Sequence, residues 1–164
     1  MKDPRTVALN VVLARRRRVD AQLNEALARQ RAEAAQLQAA EQRLRELFDA
    51  ERATLDAQAA RLRAMASGET RVAPRDYQAG VQWRDVLDER CRKSRADWQQ
   101  GCAALERQAA VIAGTIGEIR ANRMRIDAYE ERIDALRAQD ERNAEAAQDE
   151  EAEEARRVLA GGIR

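Results

Sequence analysis

An apolar repeat with alternating spacings of three and four runs through residues 9–65 and constrains the fold more than any other feature of the chain. Its members fall into two series that each recur every seven residues: Leu9, Leu13, Leu23, Leu27, Leu37, Leu44, Phe48, Leu55, Leu62 and Met65. No proline or glycine interrupts this stretch. A repeat sustained over such a length predicts a coiled-coil helix. Several slots of the seam hold polar residues instead, among them Asp20, Glu41 and Glu51.

A second seven-residue repeat occupies the other half of the chain. It comprises Trp98, Leu105, Ile112, Ile119, Ile126 and Ile133, and we extend it backward through Tyr77, Arg84 and Cys91. Its companion series, from Leu87 and Ser94 to Tyr129 and Leu136, is mostly small or polar. Between the repeats, the segment ASGETRVAPRD (66–76) contains Gly68, a natural helix stop, and Pro74, which fits the first turn of a helix. The sequence therefore predicts two long helices joined by one loop.

A short connection makes two helices antiparallel neighbours. A loop centred near residue 71 places residue i opposite about residue 142 − i, which sets Leu37 against Leu105, Leu44 against Trp98, and Asp20 against Asn122 as a polar layer. We predict an all-α fold, a single long antiparallel two-helix coiled-coil hairpin. Helix 1 would cover 1–66, the hairpin loop 67–75 and helix 2 76–139, and residues 140–164 would form an acidic helical overhang or a disordered tail.

Composition argues against most enzymatic and cofactor-dependent functions. The chain has no histidine, and Cys91 and Cys102 are its only cysteines. It contains neither a GxxxxGK[ST] nor a GxGxxG phosphate loop. We therefore predict that it is not an enzyme and that it has no catalytic, cofactor-binding or metal-binding residues. The absence of a cysteine framework suits the reducing cytoplasm.

The charge balance bears on the class of partner. With 30 basic and 29 acidic residues the net charge is +1, which argues against a surface built as a whole for nucleic acid or anionic membrane. No apolar run approaches the roughly 20 residues that a membrane-spanning helix needs. We expect neither nucleic-acid binding nor direct membrane insertion.

Four consecutive arginines, Arg15, Arg16, Arg17 and Arg18, stand near the start of helix 1. On a helix they point around the whole circumference, so they do not form a one-sided stripe along a phosphate backbone. Two interpretations stay open: a solvated segment with local salt bridges, and a contact for an acidic protein surface. Nucleic-acid binding is the third and less favoured, because it usually brings further basic clusters or stacking aromatic residues.

The region of the hinge is denser in apolar residues than the rest of the chain, with Val72, Tyr77, Val81, Trp83 and Val86. Val81 and Trp83 lie off the seam, and an exposed tryptophan near a hairpin loop indicates a contact site for a partner. The other interpretation is local packing that closes the turn.

Three parts of the chain resemble the type III secretion and flagellar export ATPase stalk family (FliJ/YscO type), whose members are cytosolic coiled-coil hairpins of similar length. LNVVLARRRRVDAQLNEALA (9–28) is similar to the family's hydrophobic-then-basic opening, and GETRVAPRDYQ (68–78) to its G-x-T turn followed by Tyr-Gln. The acidic, alanine-rich C-terminal extension is also a family feature. Among the members, the Hrp-type secretion proteins look most similar.

The resemblance implies a non-enzymatic central stalk of a bacterial type III secretion system that promotes protein export and, in Hrp-type systems, virulence. The paired terminal ends, with Arg15, Arg16, Arg17 and Arg18, would dock in the hexameric secretion ATPase. The hairpin tip, with Val72, Tyr77, Val81 and Trp83, would face the export-gate protein. Secretion chaperones would be further partners.

The stalk would be a monomer in the cytoplasm, peripheral to the membrane-bound secretion apparatus. The alternative is a generic coiled-coil scaffold or oligomerisation module, in which a second copy completes the imperfect seam of helix 1.

Overall fold

Two long α-helices make up the fold, as the sequence predicted. The structure, a computed structural model, describes residues 4–161, with side chains described for 4–154 and 156. Helix α1 runs over Pro4–Ala66 and helix α2 over Pro74–Gly161. Both begin at a proline, whose fixed φ and missing N–H suit the first position of a helix. The described residues contain no strand, so the predicted all-α hairpin fold is confirmed.

The loop between the helices, 67–73, is closed by local backbone contacts. Gly68 has a positive φ of 81°, the left-handed conformation that ends many helices and that favours glycine. The amide of Ser67 donates to the carbonyl of Arg63 at 2.9 Å, and that of Asp76 donates to the carbonyl of Ala73 at 2.9 Å. These bonds satisfy backbone groups at the end of α1 and the start of α2.

The chain divides into two compact units, which are described separately. The terminal unit comprises 4–26 of α1 and 115–161 of α2 among the described residues, and the loop unit comprises 27–114. Within each unit a stretch of α1 packs against a stretch of α2 that runs in the opposite direction. A residue farther along α1 therefore pairs with a residue earlier in α2. In the terminal unit, for example, Arg17 pairs with Glu130 and Asp20 pairs with Arg123.

Helix α1 buries the face that its heptads predicted. Every slot of the two series from residue 9 to residue 65 is buried or half-buried, including the slots that hold polar residues. Leu13, Leu27 and Leu62 are the most deeply buried of them, each less than a tenth exposed. The periodicity of α1 was therefore sufficient to identify its packing face.

In α2 the small and polar companion series is the more deeply buried one. Its buried members are Leu87, Ser94, Gln108, Thr115, Asn122 and Leu136. The backward extension of the other series is wrong at Tyr77 and Arg84, which are both exposed. Gly80, seven residues before Leu87, takes the inner position instead. A Cβ at Gly80 would lie 2.9 Å from Cδ2 of Leu62, so the helices approach too closely there to admit bulky side chains between them.

The predicted register is confirmed by contacts in the loop unit. A Cβ at Gly101 would lie 3.7 Å from Cα of Glu41, and Gly80 lies against Leu62; each pair satisfies the expected relation. Phe48 and Trp98 stack with ring centroids 5.6 Å apart and planes 9° apart. The sequence had set Trp98 against Leu44. Side chains on a helix lean toward its N-terminus, so in an antiparallel pair Phe48 and Trp98 lean toward each other and meet.

Helix α2 continues beyond the last seam residue, Leu136. Every described side chain from 137 to 154 is exposed, and the helix continues to Gly161. The boundary at residue 139 between helix 2 and an overhang stays a prediction. Residues 162–164 of that segment, like residues 1–3 of helix 1, lie outside the described residues. No helix within 4–161 has an apolar stretch long enough to cross a membrane.

Candidate partner-binding surfaces

The arginine run lies on α1 in the terminal unit, and its members differ in surroundings. Arg16 is half-buried, whereas Arg15, Arg17 and Arg18 are exposed. Nη2 of Arg17 donates to Oε1 of Glu130 on α2 at 2.7 Å. Arg15 and Arg18 form no ion pair with any described residue. Both sequence interpretations thus have a counterpart, a local salt bridge at Arg17 and unneutralised charge at Arg15 and Arg18.

Buried polar groups anchor this part of α1 to α2. Nδ2 of Asn122, a residue only 3% exposed, donates to the backbone carbonyl of Arg16 at 3.1 Å. The carboxylate of Asp20 lies 3.4 Å from Nε of Arg123 and accepts a bond from Asn24. The expected polar layer therefore exists, but Asn122 bonds to the backbone of α1 rather than to Asp20. The helix that presents the arginines is held by these bonds.

Next to the loop, the structure brings together only part of the predicted tip. Val72 and Trp83 line one cleft with Met65, Ala79 and Gly80. Trp83 is 48% exposed there, so a large apolar surface faces solvent.

Tyr77 is separate from this cleft and lines a different one with Leu62 and Arg84, while Val81 is half-buried. Val86, three residues after Trp83, is 49% exposed and lines neither cleft.

The pKa departs from its ordinary value at Arg84 and at Cys102. Asp85, through a hydrogen bond and then through its charge, raises the pKa of Arg84. Partial burial, followed by the charge of Glu41, raises the pKa of the Cys102 thiol. Glu41 also accepts a hydrogen bond from Nε1 of Trp98 at 2.5 Å. Sγ of Cys102 donates to Oε1 of Glu41 at 3.8 Å, and the two shifts accompany packing and surface ion pairing.

The described residues contain no group of three or more His, Cys, Asp or Glu side chains that could hold a metal ion. The cleft that contains Phe48 and Trp98 lies between the helices and is bordered by arginine and aspartate. The arrangement suits contact with another protein, through the arginine run in one unit and the apolar tip surface in the other.

Comparison with models of protein families gives a match over nearly the whole chain. The model of a family described as bacterial type III secretion protein (HrpB7) matches residues 4–160. No curated protein matches the chain, and no solved structure matches it.

Proposed function

The chain belongs to the HrpB7 family of bacterial type III secretion proteins, and we propose that within the secretion system it is the non-enzymatic central stalk. In this role its terminal unit docks in the hexameric secretion ATPase and its loop end contacts the export gate. It works in the cytoplasm at the membrane-bound apparatus. Type III secretion itself follows from family membership; the stalk role, the two partners and the location are the proposal.

The observation that carries the proposal is the way the seam is held in register. Polar residues of the α1 seam are bonded to α2 of the same chain: Asp20 to Arg123, Glu41 to Trp98, Glu51 to Arg90 and Gln58 to the carbonyl of Gly80. A stalk that transmits force or rotation between two partners must not slip along its own seam. Polar contacts that join half-buried seam residues to the other helix fix register at some cost in stability, which is the property this role requires.

The same bonds weigh against the generic scaffold. That alternative required a second copy to complete the imperfect seam of α1. In the structure four polar slots of that seam, Asp20, Glu41, Glu51 and Gln58, find partners on α2 of the same chain, as Glu51 does with Arg90 at 2.5 Å. Sedimentation velocity tests the difference, since the stalk is expected to sediment as a monomer and the scaffold as an oligomer.

The ATPase end can be tested by retention of purified secretion ATPase on the immobilised protein, together with its ATP turnover. We expect the unaltered chain to retain the ATPase and raise its turnover. The variant with Arg15, Arg16, Arg17 and Arg18 all changed to Glu should lose both effects.

A charge-matched control changes four exposed arginines of α2 to Glu: Arg107, Arg120, Arg125 and Arg132. If the control loses retention as the first variant does, net charge rather than a docking surface is responsible. An unaltered chain that retains no ATPase contradicts the stalk proposal.

The gate end is tested with the cytoplasmic domain of the export-gate protein. Val72→Ser with Trp83→Ala should weaken binding by about tenfold or more, because a large exposed aromatic residue is a typical anchor of an interface. Leu47→Ala, which also alters a half-exposed apolar residue of the loop unit, is the matched control and should bind as the unaltered chain does. Equal binding by all three proteins contradicts a contact at the tip.

A further inference from the structure

We propose that the ATPase-docking surface on α1 is an apolar surface that also contains positive charges. We call it the valine–arginine face; it is formed by Val7, Val11, Val12, Arg15, Arg18 and Val19. It binds a partner surface with an apolar ridge bordered by carboxylates. The assignment rests on the proposed stalk function and names the chemistry of its ATPase contact.

Three of the four valines of this face are unusually exposed for a coiled coil, while Val19 is half-buried. Val11 is 67% exposed, Val7 49% and Val12 37%. Val7 and Val11 are one helical turn apart, and Arg15 and Arg18 continue the same side of the helix, away from the buried Leu13. The outer side of a two-helix coiled coil is normally polar, so valines there indicate a surface that another protein covers.

The apolar surface has a shaped part. Val12 and Val19 line a hollow together with Arg15 and Arg16. The aliphatic stems of the two arginines can extend its apolar wall; Arg15 is exposed and Arg16 is half-buried. A hollow of this kind accepts an apolar side chain of a partner and places positive charge at its rim.

The arginines of the run differ in whether an acidic residue of the chain neutralises them. Arg17 turns toward α2 and is neutralised by Glu130 at 2.7 Å. Arg15 and Arg18 form no ion pair with any described residue, and both belong to the valine–arginine face. Unpaired cations on this face select a partner with carboxylates and orient it. The apolar contact supplies most of the affinity, because exposed ion pairs alone contribute little.

A basic helix with exposed valines raises the question of membrane binding. Helices that lie on a membrane separate an apolar face from a charged one. Here Arg15 and Arg18 are interleaved with the valines on one side, and the opposite side is occupied by the seam, where Leu13 is 6% exposed. This interleaving favours a protein surface as the occupant.

The test measures the affinity of full-length variants for the purified hexameric secretion ATPase, with circular dichroism as the check on folding. We expect Val11→Ser/Val12→Ser and Arg15→Glu/Arg18→Glu each to weaken binding by about tenfold or more. Val11→Ala, a milder change, should weaken it several-fold. Arg17→Glu should weaken it by less than about threefold, and Met124→Ser, which alters a residue of α2 that is 73% exposed, should leave it unchanged.

Three results would overturn the inference while leaving the proposed stalk function intact. If the valine variants bind like the unaltered chain, the valines make no contact with the ATPase. If Arg17→Glu loses as much affinity as Arg15→Glu/Arg18→Glu, Arg17 does not differ from Arg15 and Arg18 in binding. The third result uses vesicles of phosphatidylcholine with phosphatidylglycerol. If the unaltered chain binds them and the valine variants lose this binding but still bind the ATPase, the face contacts a membrane. If the unaltered chain does not bind the ATPase, the proposed function fails and the inference with it.

Discussion

At the scale of single residues, two buried amides of α2 help to fix how the helices pair. Asn122 donates to the carbonyl of Arg16 at 3.1 Å, and Gln108 donates to the carbonyl of Gln30 at 3.0 Å. A helix shifted along its neighbour would leave these donors buried without a partner, which costs about 1–3 kcal/mol for each group. Polar residues in this seam therefore contribute specificity of register more than stability.

Glycine-to-alanine substitutions should have different signs at different positions. Nothing lies within 4 Å of a Cβ built on Gly114, so Gly114→Ala should raise the free energy of unfolding by about 0.5–1 kcal/mol, the usual gain in a helix interior. Gly80→Ala should give no gain or a loss of about 1 kcal/mol, because its Cβ would lie 2.9 Å from Leu62. Gly68→Ala should lose about 1 kcal/mol, since φ is 81° there. Urea unfolding followed by circular dichroism measures all three, and a uniform gain would contradict the close approach at Gly80.

The reactivity of Cys102 should depend on Glu41. Partial burial and then the carboxylate of Glu41 raise the pKa of the Cys102 thiol, which lowers its thiolate fraction at a fixed pH. Glu41→Gln removes the charge but keeps an oxygen that can accept from Trp98. We expect it to speed alkylation of Cys102 by iodoacetamide at about pH 8 by about two- to threefold.

The measurement uses Cys91→Ser protein, so that Cys102 is the only thiol. Glu46→Gln, an exposed carboxylate of the same helix, serves as the control and should leave the rate unchanged. A Glu41→Gln rate equal to that of the control would mean that burial alone sets the reactivity.

At the scale of helices, the repeat in the sequence predicted the α1 face and the register but not the side-chain detail. The seam of α1 follows directly from where its apolar residues recur. In α2 the close approach to α1 occurs at Gly80. A search for recurring large apolar residues does not identify a glycine as part of the packing face. The extension through Tyr77 therefore failed where a step of seven back from Leu87 would have found Gly80.

The candidate surfaces show the same limit. The arginine run and Trp83 were visible in the sequence, and both lie on the surface. That Arg17 alone is neutralised, by Glu130, could not be predicted, because the pairing depends on the direction of two long side chains as well as on register. The separation of Tyr77 from the cleft of Val72 and Trp83 was missed because the pattern placed Tyr77 in the seam, where Gly80 holds the inner position.

The register of the loop unit predicts short distances between chosen pairs of labels. Spin labels at Leu37 and Leu105 should lie less than about 20 Å apart in a double electron–electron resonance measurement, since the expected relation sets these residues opposite each other. Labels at Leu37 and Ile112 should be farther apart by up to about 10 Å, the rise of seven helical residues. Cys91→Ser/Cys102→Ser protein supplies the background. Equal distances for the two pairs, or a larger one for the first, would contradict the register.

At the scale of the whole molecule, near-neutral charge hides an uneven distribution. The net charge is +1, yet residues 140–154 hold eight acidic residues and one arginine. The described side chains from 137 to 154 are all exposed, so this stretch of α2 adds nothing to the seam, which ends at Leu136. A single helix that is polar on all sides gains little from packing and stays helical through its own backbone and side-chain pairs.

Removal of the acidic stretch should therefore leave the stability of the paired helices intact. A chain that ends at Gln139 should unfold with a free energy within about 1 kcal/mol of the full chain, because it loses no buried side chain among the described residues. Its helical circular dichroism should fall roughly in proportion to the residues removed. A chain that ends at Arg132 is the matched control: it also loses Ile133, 3% exposed, and Leu136, 7% exposed, and should be less stable by about 2–5 kcal/mol or more. If the first truncation destabilises the protein as much as the second, the acidic stretch packs on the rest of the molecule and its exposure in the structure is contradicted. If both predictions hold, the stretch is available to a partner without any cost to the fold.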